Sequence, residues 1–150
     1  MRVRLCPIGS ISNPFIDSVP DGWETVPSRI ILDEKWLPAL DGIGAFSHLF
    51  ILFWLSRIPQ RSIQLQVHPQ GRQDLPLVGM LATRTPYRPN PIGLQVVELL
   101  SVEHSVLTVR GLDALDGSPV VDIKPYLPRG DAIPQARTPD WLQKLWSQRP

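Results

Sequence analysis

Roughly seven short strand-like stretches follow one another in this chain with almost nothing of helix length between them. Ile63-Gln-Leu-Gln-Val-His68 alternates strictly, which predicts Ile63, Leu65 and Val67 on an inward face. Leu49-Phe-Ile-Leu-Phe-Trp-Leu55 is apolar at every position, the pattern of a strand buried on both faces. Val3 to Ile11, Arg29 to Leu32 and Leu77 to Ala82 read as further strands. Gly93 to Val102 and Val106 to Leu112 flank Glu103-His104-Ser105, a hairpin turn. Val120 to Ile123 follows Asp116-Gly117, a tight-turn dipeptide. A parallel α/β sheet needs crossover helices, and the connections leave no room for them. The fold class is therefore mainly β: a single small barrel with antiparallel or mixed strands.

Two segments read as helical. Glu34 to Leu40 contains Pro38 and must be short. The other has Thr138 as N-cap and Pro139 at the first helical position, and runs through Trp141, Leu142, Leu145 and Trp146. Seventeen prolines against ten glycines predict stiffened loops. At 150 residues the chain suits one domain, expected as a barrel over 1–136 with a helical appendage over 137–150.

Composition excludes several classes. One cysteine, Cys6, rules out an internal disulfide or a cysteine-built zinc site. The longest apolar run, Leu49 to Leu55, is far below the ~20 residues of a membrane helix, and no signal peptide is evident. The expected location is the cytoplasm. His48, His68 and His104 lack metal-ligand spacing, Ser10, Ser47 and Ser56 sit in no nucleophile elbow, and no metal is expected. A net charge of +1 is not the footprint of a nonspecific nucleic-acid binder. The distribution is more telling. Six acids against two basic residues occupy 17–41, whereas Arg57, Arg61, Arg72, Arg84 and Arg88 face a single acid, Asp74, over 57–88. Arginine suits bidentate recognition of phosphate or carboxylate.

Two segments carry the chemistry. In the first, 82–94, Arg88 and Asn90 each precede a proline and are pushed into extended geometry, while Pro89 and Pro91 have fixed φ. The loop is thus rigid before anything binds, which lowers the entropic cost of gripping a ligand. In the second, 112–128, the Asp116-Gly117 turn exposes backbone groups, and Asp122 and Lys124 share one face of a strand, where they can pair.

These segments, TRTPYRPNPIGL (83–94) and LDALDGSPVVDIKPYLP (112–128), resemble the tRNA N6-threonylcarbamoyladenosine N6-methyltransferases, the TrmO or TsaA-like family, in its short form. GIGAFSHLFILFW (42–54), QVHPQGRQDLPLVG (66–79) and IGSISNPF (8–15) support the likeness, which spans Ile8 to Pro134. The resemblance implies a β-barrel that binds S-adenosylmethionine, works as a homodimer, and methylates N6 of threonylcarbamoyladenosine beside the tRNA anticodon. Matched motif by motif, it assigns Ser56, Arg57, Arg84, Leu94, Leu115, Asp116, Gly117 and Ser118 to the cofactor. Four departures stand out. The Pro-Arg-Gln tripeptide and the C-terminal extension of the longer bacterial members have no counterpart, Ser56-Arg57 replaces a His-Gln pair, and Ser118 replaces a threonine.

For the reaction so implied, Asp116, Asp122 and Tyr126 are the candidate catalytic groups for the proton on nitrogen. Arg88, Asn90 and Lys124 are the candidate substrate contacts, with Arg88 and Lys124 placed to clamp the threonyl carboxylate. The aromatic surface of Trp36, Trp54, Trp141 and Trp146 also points to a homodimer. Two other readings stand beside this one: a methyltransferase of the same fold with another small-molecule or RNA substrate, and a noncatalytic RNA-binding barrel.

Overall fold

A computed structural model describes residues 3–59 and 63–147. Arg61 of the arginine-rich stretch therefore lies outside the described residues. The chain forms two compact units. One comprises the chain up to Ile58 with Pro91–Tyr126, and the other comprises Pro59–Asn90 with the chain from Leu127 onward.

The first unit is a closed barrel of six strands: β1 (Gly9–Ser12), β2 (Pro27–Leu32), β3 (His48–Trp54), β6 (Ile92–Glu103), β7 (Val106–Arg110) and β8 (Pro119–Pro125). Their order around the barrel is β1-β2-β7-β6-β3-β8, and every pairing is antiparallel. Period-two alternation fills the interior. Ser28, Ile30 and Leu32 of β2, Leu49, Ile51 and Phe53 of β3, and Leu107 and Val109 of β7 are buried, as are Ile11, Val97, Leu112, Ala114 and Val120. β6 serves two neighbours. It pairs with β3 over its first half and β7 over its second, with a register shift between Leu99 and Ser101 that lets one long strand bend around the barrel.

The second unit holds β4 (Gln66–Val67) paired with β5 (Val78–Gly79), a four-residue helix α1 (Pro128–Asp131), and α2 (Asp140–Trp146). Among the described residues, Leu75, Met80, Leu145 and Pro69 are its buried apolar side chains.

The mainly-β class holds, with six strands in the barrel instead of about seven. Several elements differ from expectation. Leu49–Leu55 is not buried on both faces: Leu49, Ile51 and Phe53 point inward, and Phe50, Leu52 and Trp54 are only half-buried. An antiparallel barrel buries one face of each strand, so a wholly apolar strand leaves its other half outside. Ile63 and Leu65 do not face inward either, being 45% and 75% exposed, because the strand there is two residues long and lies outside the barrel. The first strand is Gly9–Ser12 only, and the apolar run at 77–82 divides into β5 and a 3-10 turn at Met80–Ala82. Thr138 is not the N-cap of the last helix. Its hydroxyl accepts from Gln143 Nε2 at 2.9 Å, and Pro139 occupies the cap. Glu34–Leu40 is the short helix expected, in 3-10 form. The hairpin between β6 and β7 turns at His104, in the left-handed region with φ 54°.

In the second unit Arg72 donates to both oxygens of Asp74, at 3.0 and 2.6 Å, and Lys144 of α2 approaches at 3.2 Å. The hydrogen bond from Arg72, followed by that from Lys144, holds the Asp74 carboxyl well below the usual carboxylate range. A carboxyl depressed by folding contributes its stability in full above the ordinary carboxylate range. That contribution is lost as pH falls through the depressed value. Lys144→Ala is expected to raise the Asp74 titration midpoint, and Arg72→Ala to raise it further, as read from the carboxyl carbon shift. An unmoved midpoint in Lys144→Ala would show that α2 does not hold this carboxylate.

Candidate functional site

In the barrel unit the candidate cofactor residues gather at one end. β3 finishes at Trp54, β8 starts at Pro119 and β6 starts at Ile92, and the register Trp54↔Ile92 and Phe53↔Val120 aligns those three termini. Ser56 and Arg57 follow β3, the 115–118 turn precedes β8, and Leu94 lies on the outer face of β6 opposite Leu52. The turn closes with Ser118 N–H donating to the Leu115 carbonyl at 3.2 Å. Gly117, at φ 75°, occupies the position where a type II turn needs the left-handed region.

The turn is held from two sides. Arg57 donates to the carbonyls of Asp116, at 3.4 Å, and of Ile16, with Asp17 at 3.7 Å completing the group. On the other side, the segment after β1 reaches across. Gly117 N–H donates to the Ile11 carbonyl and Asp116 N–H to the Phe15 carbonyl, both at 2.8 Å. Asn13 adds its own N–H to Asp116 Oδ1 at 3.0 Å, and its side-chain amide donates to the Ala114 carbonyl at 2.9 Å and to Ser28 Oγ at 3.2 Å. Sequence reasoning did not single out Asn13. The signal was present in Asn13-Pro14 directly after a strand, where an Asx side chain can bond its own backbone two residues on, as Asn13 Oδ1 does with Phe15 N–H at 3.0 Å.

The amides of Asp116, Gly117 and Ser118 are thus engaged inside the protein. Among the described residues the Asp116 Oδ2 oxygen and the Gly117 carbonyl accept no hydrogen bond. The turn therefore presents acceptors, which fit a ligand edge bearing N–H or O–H groups such as an aminopurine or a ribose.

The three candidate catalytic groups do not converge in one chain. Asp116 is on the turn, Asp122 is within β8 opposite Leu52, and Tyr126 follows the far end of β8. The seven residues of β8 separate Ser118 from Tyr126, roughly 25 Å at the rise of an extended chain. Tyr126 packs instead against Phe50, ring centroids 5.5 Å apart, and its N–H donates to the His48 carbonyl. Asp122 and Lys124 do pair, at 2.8 Å. Asp122 also lines an apolar cavity of about 220 Å³ with Ile8, Leu32, Trp36, Ala39, Leu40, Ile43 and Ile123.

The second unit holds the proline-stiffened loop. Arg88 is half-buried, and its Nη1 donates to the carbonyls of Thr83 at 2.8 Å and Met80 at 3.3 Å. Thr83 Oγ1 donates to the Met80 carbonyl and accepts from Thr85 N–H. The loop is braced, as its prolines suggest, and Arg88 is one of the braces. Arg84 and Asn90 are exposed, with no hydrogen-bond partner among the described residues. The arginine-rich stretch is accordingly no stripe of free cations, since Arg57, Arg72 and Arg88 are all engaged.

Comparison with known proteins places this geometry. The family model described as the tRNA-methyltransferase O N-terminal domain matches residues 17–132. The S-adenosyl-L-methionine-binding protein of Archaeoglobus fulgidus is 41% identical over 135 residues, covering 87% of this chain and 94% of that protein. The tRNA (adenine(37)-N6)-methyltransferase of Escherichia coli is 42% identical over 140 residues, covering 86% of this chain and 60% of that enzyme. The crystal structure of TrmO from Pseudomonas aeruginosa superposes with a TM-score of 0.74 at 32% identity, over 91% of this chain and 62% of that one. The chain therefore spans nearly the full length of the archaeal relative and about three fifths of the bacterial ones. It belongs to the tRNA-methyltransferase O N-terminal domain family.

Proposed function

We propose that this chain binds S-adenosylmethionine and methylates N6 of the threonylcarbamoyladenosine at position 37 of tRNA. The observation that carries the proposal is its 42% identity to the Escherichia coli enzyme named for methylation of adenine 37 at N6. When bound, the cofactor supplies an activated sulfonium methyl, so alignment of the acceptor nitrogen can provide much of the acceleration. The 115–118 turn, with Ser56, Arg57 and Leu94 beside it at the same end of the barrel, receives the cofactor. Arg84, in the second unit, is assigned to the cofactor on the family resemblance alone, and its guanidinium is unengaged among the described residues. The acceptor nitrogen shares its lone pair with purine and carbamoyl groups, which makes it a poor nucleophile with an acidified N–H. Asp116 is the preferred base, because its Oδ2 oxygen is open and it lies at the cofactor end. Asp122, ion-paired to Lys124, and Tyr126, at the far end of β8, are weaker choices within one chain. Asn90, exposed and without a hydrogen-bond partner among the described residues, stays a candidate substrate contact, while the bracing bonds of Arg88 leave it less of its guanidinium for a carboxylate. The working form is a cytoplasmic homodimer. The exposed outer side chains of Ile92, Leu94 and Val96 support the dimer by offering an apolar face.

A second reading has its own support. The archaeal relative, matched over nearly its whole length, is named for cofactor binding alone, and a same-fold methyltransferase acting on another substrate is the reading that stands beside the first.

Two measurements test the proposal. Calorimetry without added metal is expected to show binding of S-adenosylmethionine or its demethylated product, and the absence of heat at millimolar ligand would defeat the cofactor assignment. Incubation of tRNA with protein and cofactor, followed by digestion to nucleosides, is expected to yield methylated threonylcarbamoyladenosine. Methyl recovered on a different nucleoside would favour the second reading.

A further inference from the structure

We infer that Asn13 is the positioning residue of the ligand turn, fixing Asp116 in the orientation that meets the cofactor. The inference rests on the proposed assignment of the 115–118 turn to the cofactor. Asn13 governs Asp116 by two routes. Its main-chain N–H binds Oδ1 at 3.0 Å, a bond that depends on the Asn13 side chain holding the segment in place, and Oδ2 accepts no hydrogen bond among the described residues. Its Oδ1 accepts from Phe15 N–H at 3.0 Å, shaping the chain so that the Phe15 carbonyl accepts Asp116 N–H at 2.8 Å.

The side-chain amide anchors the arrangement to the barrel. Both protons of Nδ2 are used, one on the Ala114 carbonyl at the entrance to the turn and one on Ser28 Oγ inside the barrel. Ala114 and Ser28 are almost wholly buried, at 2% and 1% exposure. Neither aspartate nor serine meets all these demands. Aspartate would supply the acceptor but neither donor, and would set a second carboxylate beside Asp116. Serine is too short to reach Phe15 N–H and the Ala114 carbonyl together. Asn13 therefore acts through Asp116, as a group that preorganises the turn before a ligand arrives.

The test compares Asn13→Ala, Asn13→Ser, Ser28→Ala and Asp116→Ala in the full chain, with S-adenosylmethionine affinity measured by calorimetry and amide exchange measured without ligand. Asn13→Ala is expected to weaken cofactor binding about tenfold or more, and Asn13→Ser to weaken it less. Amide exchange at Asp116 and Gly117 should accelerate in both. Ser28→Ala removes a buried partner of Asn13 without touching the turn. It should lower the melting temperature and weaken binding less than Asn13→Ala does, because the bonds of Asn13 to Ala114 and Phe15 remain. Should Asn13→Ala fail to fold, Asn13→Ser and its exchange rates carry the test. An Asn13 variant with unchanged affinity and exchange, beside an Asp116→Ala that binds weakly, would overturn the positioning role alone. Equal losses in the Asn13 and Ser28 variants would also overturn it, leaving Asn13 as mere structure. Unchanged affinity in Asp116→Ala would instead strike down the assignment of the turn to the cofactor.

Discussion

Gly9→Ala is expected to destabilise the barrel by roughly 3 kcal/mol, the upper part of the range for forcing atoms into packed space. A Cβ at this position would overlap the Ile31 carbonyl oxygen and lie 2.8 Å from Leu32 Cα. Those are backbone atoms of the paired strand, so no rotamer change can relieve the contact. Gly9 also sits where the barrel closes, facing Leu32 of β2 on one side and Val120 of β8 on the other. Relief would have to come from shifting β1 against β2, at the expense of the ladder on both sides. The melting temperature should fall by roughly 10 °C for a chain of this size. Gly93→Ala is a milder case, because its Cβ meets the ring of Phe53, a side chain that can give way at the cost of core packing. Gly44→Ala is the control, its Cβ meeting only Val102 Cγ2 at 3.9 Å. A Gly9→Ala protein that melts with the control would show that β1 is not seated as described.

The second large effect separates Arg84 from Arg88. On the proposed assignment Arg84→Ala should weaken S-adenosylmethionine binding about ten- to hundredfold, the loss expected for one charge-assisted contact. The fold should be unaffected, because no hydrogen bond among the described residues depends on that side chain. Arg88→Ala should behave in the opposite sense. It removes the donor that ties the Thr83 and Met80 carbonyls together, so the 82–90 loop should lose order and the protein some stability. If Arg88 also grips the threonyl carboxylate, the variant loses the preference for threonylcarbamoylated over unmodified tRNA at unchanged cofactor affinity. A generic phosphate contact would instead weaken both tRNAs alike and flatten the salt dependence. Identical losses of cofactor and of both tRNAs in the two variants would make the loop structural only and remove Arg84 from the site.

Much of the fold was legible because it rests on local rules. The Asp116-Gly117 turn and the hairpin at His104 both follow from residue type and spacing. What could not be read depends on partners far along the chain. The outward half of β3 is as apolar as its inward half, so nothing in Leu49–Leu55 says which residues face solvent. The alternation at 63–68 is as clean as that of a barrel strand, yet only Gln66 and Val67 pair as strand, with a partner strand two residues long. The site divides in the same way. Pairing of Asp122 with Lys124 follows from the two-residue period of a strand. The engagement of Arg57 with the turn at 116, and of Asn13 with Asp116, spans 59 and 103 residues, and no local pattern encodes it. Arg88 looked like a free cation because its partners are main-chain carbonyls, which leave no trace in a sequence.

Labelled methyl transfer from S-adenosylmethionine to two preparations of the same tRNA, with and without the threonylcarbamoyl group at position 37, tests the central claim most directly. The account predicts label in the threonylcarbamoylated tRNA, located at position 37, and essentially none in the unmodified one. Equal labelling of both, or none in either from protein that demonstrably binds the cofactor, would contradict it.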